Sequence, residues 1–175
     1  GSFTGGKPVV IDNKVVTSCL QENTAIYDKG GEMHYDVISA FIKSVRGSDP
    51  NAAVYYLARM LDGGEDPLFI ARRLCILAAE DVGLANPNAL LLANSTFQIV
   101  HTIGMPEARI PLGDAAVLMA TSPKSNSGHV ALDAALADVK RGKGLGFPRQ
   151  LQNVHADTYT QERDQGYLYP HNYPG

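Results

Sequence analysis

An all-α fold is predicted by three features of the 175-residue chain: apolar stripes at helical spacing, helix-start and helix-stop signals that alternate at short intervals, and no sustained β alternation. A chain of this length can bury a substantial core. Its formal charge of -3 and pI near 5.9 give an average field that favours neither a phosphate backbone nor an anionic membrane. Cys19 and Cys75 form no CxxC pair, so a reducing cytoplasm is expected, with Cys75 as a buried free thiol. No apolar run approaches the roughly 20 residues of a membrane span, and no basic-then-apolar leader opens the chain.

Taken in order, "IDNKVVTSCLQ" offers Asp12 as an N-cap before Val15, Val16, Cys19 and Leu20, which predicts a short helix. The next stripe is Val37, Ile38, Phe41, Ile42 and Val45, and Gly47 ends it. Asp49-Pro50, Asp66-Pro67 and Asn86-Pro87 each pair a capping side chain with a proline at the first helical position, where its missing N–H costs nothing. The three helices they start carry Ala53, Val54, Leu57 and Leu61; Ile70, Leu74, Leu77 and Ala78; and Leu90, Ala93, Phe97 and Val100. Their short loops predict antiparallel neighbours. A helix pair broken at Pro106 and Pro111 comes next, then an Ala-rich amphipathic helix that groups Leu132, Leu136 and Val139 and suggests close helix contact. From Gly142 onward Gly, Pro and Tyr dominate without a period, which predicts an irregular strap.

Catalytic signatures are sparse. "RGKGLGF" (141–147) is basic and glycine-rich, but no predicted strand precedes it and no Ser or Thr follows Lys143. It reads as a flexible helix exit, with phosphate contact as the alternative. The five histidines show no i, i+4 pair, and no GxSxG elbow is present. No catalytic, cofactor-binding or metal-ligating residue is therefore assigned.

The stretch "RRLCILAAEDVG" (72–83) sets four charges on a core-bound helix. At 100° per residue, Leu77 and Glu80 both fall within about 40° of Arg73. Arg72, Arg73, Glu80 and Asp81 are either a solvated edge or a desolvated set of ion pairs holding helices or subunits in register. The candidate anion contacts are Lys43 and Arg46 on one helix face, the turn residues Lys124, Ser125 and Asn126, and Lys143. Ser122, Ser125 and Asn126 can also serve as caps for the helix that begins near Gly128.

"YDVISAFIKSVRGSDPNAAVYYLARML", "DPLFIARRLCILAAEDVGLANPNAL", "PEARIPLGDAAVLMATSPKSN" and "ALADVK" resemble the C-terminal region of the replication-associated recombination protein A family. These are AAA+ ATPases related to clamp-loader subunits and to the Werner-helicase-interacting protein. The resemblance implies that residues 1–30 are the end of the AAA+ lid and a linker. It makes 31–141 a collar-like helical oligomerisation domain, and 142–175 an irregular tail packed on it and cut short. It implies a tetramer, with ATP and magnesium bound by a preceding module and not here, and action on DNA at stalled forks through the parent protein. Replication-fork proteins are possible partners, and the compartment is the cytoplasm, at the nucleoid. A DNA- or partner-binding module of the same ATPase is the alternative.

Overall fold

In the computed structural model the described residues are Lys14, 31–153 and 166–175. The predicted helix after Asp12, and most of the lid-and-linker segment, lie outside them.

Within residues 31–153 six α-helices occur in order: α1 (Gly31–Arg46), α2 (Pro50–Asp62), α3 (Pro67–Leu77), α4 (Asn88–Ile103), α5 (Arg109–Thr121) and α6 (Ser127–Lys140). No strand occurs among the described residues. The start signals act as their chemistry requires: the Asp49 carboxylate accepts from Ala52 N at 3.0 Å and the Asp66 carboxylate from Leu68 N at 2.9 Å, each beside a first-turn proline. The third signal works differently. Asn86 donates its side chain to Ser122 Oγ at 3.1 Å, so α4 begins after Pro87 with no side-chain cap.

Two stop signals also differ from expectation. At the end of α1 the left-handed residue is Ser48, at φ 60°, and not Gly47. Asp49 N then reaches Ser44 O at 2.9 Å and closes the helix. Pro111 does not break a helix, because it stands in the first turn of α5, where an N–H has no intrahelical acceptor to lose.

The chain divides into two compact units, Gly1–His129 and Val130–Gly175. In the first, Val37, Phe41 and Val45 of α1 are buried with Ala53, Leu57 and Met60 of α2 and Ile70, Ala71, Leu74 and Leu77 of α3. α1 packs on α2, α3 on α4, and α5 contacts all four. That central position explains the composition of α5: Leu112, Ala115, Ala116, Met119 and Ala120 are fully buried, and the alanines let neighbouring helices approach closely. Burying Ile70, Leu74 and Leu77 alone contributes roughly 1.5–3 kcal/mol each before chain entropy is set against it.

The second unit contrasts with the first. No residue of α6 is buried. Its described tail residues carry two short 3₁₀ turns, Arg149–Leu151 and Pro170–Asn172, and are exposed throughout.

Candidate functional site

The helix α3 does not end in a simple cap. It passes into a π-helical turn, Ala78–Val82, and a 3₁₀ turn, Gly83–Ala85. A π turn inserts a residue into the helical ladder and so rotates the side chains beyond it about the helix axis. Here it separates the two pairs of charges in "RRLCILAAEDVG". Among the described residues neither arginine pairs with Glu80 or Asp81.

The carboxylates join a polar latch. Asp81, 8% exposed, accepts from Arg46 Nε at 2.7 Å and from Nη2 at 3.4 Å, so the end of α1 is tied to the π turn. The hydrogen bond to Asp81 raises the Arg46 pKa above its ordinary value, against a smaller opposing effect of burial. The Asp81 carbonyl accepts from Ser125 N at 2.8 Å, which draws the "SPKSN" loop onto the same turn. Gly83, at φ +53°, is required there, since a Cβ would collide with the Ser125 carbonyl oxygen.

Lys124 turns inward. Its Nζ donates to Ser122 O at 2.6 Å, Ser48 Oγ at 3.1 Å and Ala120 O at 3.3 Å. Desolvation pushes its pKa down, and the nearby Asp81 charge partly restores it. Ser122 is buried and donates to Leu118 O at 2.6 Å. His129 Nε2 lies 3.4 Å from Glu80 Oε1, and Ser125 Oγ accepts from Ser127 N at 3.5 Å. The latch therefore holds α1, the π turn, the end of α5 and the first turn of α6 (127–129).

The arginines serve another place. Arg72 stacks over the Phe97 ring at 5.6 Å, and both arginines line an open cleft of about 410 Å³ floored by Ile38, Ile42, Phe69 and Ile76. Arg73 Nε is buried there without a hydrogen-bond partner.

Of the candidate anion contacts, Arg46, Lys124 and Ser125 are thus brought together, but facing protein acceptors. Lys43 and Asn126 are exposed, and Lys143 sits 3.5 Å from Asp138 in the second unit. Sequence reasoning missed Ser48 and His129, because neither a left-handed serine nor a contact at the far end of the chain leaves a local signal.

The apolar counterpart is α6, where Leu132, Leu136 and Val139 are 62%, 46% and 58% exposed along one stripe. Leu145, Phe147, Leu151 and Tyr167 of the same unit are exposed as well. Among the described residues no group of His, Cys, Asp and Glu is placed to hold a metal ion, and no helix is long and apolar enough to cross a membrane.

The six helices, with no strand among the described residues, define an all-α protein. The "MgsA AAA+ ATPase C terminal" family matches residues 47–175, and the "AAA C-terminal domain" family matches residues 3–46. The chain belongs to the C-terminal domain family of MgsA-type AAA+ ATPases, which includes the replication-associated recombination proteins A. It is 54% identical over 149 residues to an uncharacterised AAA domain-containing protein of Mycobacterium tuberculosis, covering 85% of this chain and 33% of that one. It is 49% identical to replication-associated recombination protein A of Bacillus subtilis, covering 89% and 37%. It is 48% identical to ATPase WRNIP1 of Dictyostelium discoideum, covering 69% and 14%. The chain spans about a third of the length of the first two relatives.

Proposed function

We propose that this chain is the self-association domain of a longer AAA+ ATPase of DNA replication, recombination and repair, and that it gathers the ATPase modules into a tetramer at stalled forks. The observation that carries this is α6. A 14-residue helix that buries none of its side chains is marginal in water, because helices of that length owe their stability to packing an apolar face. Leu132, Leu136 and Val139 form such a face, and a second copy of the chain supplies its cover.

Function then arises from proximity. Modules held together act at a raised effective concentration, and weak DNA contacts made by each add through avidity. ATP and magnesium belong to the preceding module of the parent, and the setting is the cytoplasm at the nucleoid. A DNA- or partner-binding role for this chain is less well supported, because Arg46 and Lys124 are engaged with Asp81 and with backbone carbonyls.

Light scattering on the wild-type chain and on Leu132→Glu/Leu136→Glu tests the proposal. A mass that falls to that of one chain in the variant, with helicity unchanged, is expected. A variant that assembles like the wild type sinks it. Salt-sensitive binding of forked DNA by a monomeric wild-type chain would put the DNA-binding role first.

A further inference from the structure

A second contact of the assembly can be specified, on the footing that the chain self-associates. A 14-residue helix supplies only part of the roughly 1,200–2,000 Å² of a stable interface, so a tetramer that uses α6 needs another contact as well. We infer that the outer stripe of α5 from one copy, with Asp114 near its centre, seats in the arginine cleft between α1 and α3 of another.

The cleft is short of an acid. Ile38 and Ile42 reach it from α1, and Phe69, Arg72, Arg73 and Ile76 from α3. Among the described residues no carboxylate pairs with Arg72 or Arg73. Arg72 lies over the Phe97 ring, whereas Arg73 Nε is buried with no acceptor, a position that weakens the fold and gains from an anion brought from outside. The apolar floor calls for apolar side chains on either side of that anion.

The outer face of α5 carries that pattern. Leu112, Ala115, Ala116 and Met119 turn into the core, and on the opposite side Ile110, Asp114, Val117 and Thr121 fall within about 60° of arc. All four are exposed, Ile110 by 56% and Val117 by 40%. Among the described residues the Asp114 side chain has no ion pair. Ile110 and Val117 are as far apart along α5 as Phe69 and Ile76 are along α3, about 10.5 Å. In both helices the charge lies near the middle, so the ridge matches the groove whichever way α5 runs along it.

Gly113, which borders the stripe, is an independent sign. It stands inside α5, where glycine is less favourable than alanine, yet a Cβ there would meet nothing within 4 Å in its own chain. Its own chain therefore gives it no packing reason, whereas the wall of a groove closing on α5 does. Cleft and stripe both belong to the first unit, so each copy gives one and receives the other.

The test joins a two-residue cycle, a glycine replacement and cross-linking. Arg73→Leu and Asp114→Leu are each expected to raise the concentration at which the assembly dissociates at least about thirtyfold, because each strands its partner in the contact. The double variant is expected to assemble more tightly than either. Gly113→Ala is expected to raise the urea midpoint of the dilute, monomeric chain while weakening its assembly. In a Cys19→Ala/Cys75→Ala background, Ile76→Cys is expected to form a disulfide-linked dimer when mixed with either Ile110→Cys or Val117→Cys, according to the direction of α5. An assembly in which neither mixture links, in which Gly113→Ala assembles like the wild type, or in which the two leucine losses add, overturns this contact and leaves self-association standing. A chain that is monomeric at every concentration overturns both.

Discussion

Replacing Arg46 with methionine leaves the Asp81 carboxylate buried without its cationic partner. Removing one member of a buried ion pair costs about 3–5 kcal/mol. Arg46 is roughly half exposed at 48%, so water reaches part of the site and the expected loss is nearer to about 2 kcal/mol. At about 2–4 °C per kcal/mol for a chain of this size, the melting temperature falls by about 4–8 °C. Asp81→Leu removes the buried charge itself and frees Arg46 to water, so it costs less, about 1 kcal/mol. The double variant is therefore expected to be more stable than Arg46→Met alone. Urea unfolding monitored by far-UV circular dichroism measures all three. An Arg46→Met loss below about 0.5 kcal/mol, or a double variant less stable than either single one, refutes the reasoning.

Gly83→Ala is expected to lose more than about 2 kcal/mol, since it combines a left-handed φ with a clash on Ser125, and the latch should open with it; thermal unfolding checks this. Ser48→Gly relieves a left-handed serine and should gain about 0.5–1 kcal/mol net of its exposed bond to Lys124, read from the urea midpoint. Arg73→Leu removes an unpartnered buried Nε from an apolar cleft, so unfolding should show it neutral or more stable by about 1 kcal/mol. Because the folded-state pKa of Lys124 is depressed, the unfolded chain holds more protons between that value and 10.5. Stability owed to Lys124 therefore rises with pH across that window, and the urea midpoint of wild type relative to that of Lys124→Met should rise as the pH approaches 10.5.

The helical layout is legible where the signals are local. Asp49, Asp66, Pro50 and Pro67 act through bonds to residues two or three positions away, and the stripe Ile70, Leu74 and Leu77 needs only the helical period. Asn86 departs from its expected capping role because its side chain serves Ser122, and Pro111 from its expected break because a first-turn proline and a helix break look alike in one dimension. The charges of "RRLCILAAEDVG" are visible as a group, but their division between a cleft and a latch depends on a π turn that no spacing rule announces. The stripe Leu132, Leu136 and Val139 is legible as amphipathic; that it stays unburied within the chain is not.

Self-association through α6 is tested most directly by the mass of the chain in solution, measured by light scattering across a wide dilution series. A species near four times 18.8 kDa, lost in Leu132→Glu/Leu136→Glu, is the expected result. A wild-type chain that stays at 18.8 kDa at every concentration contradicts it and places assembly elsewhere in the parent ATPase.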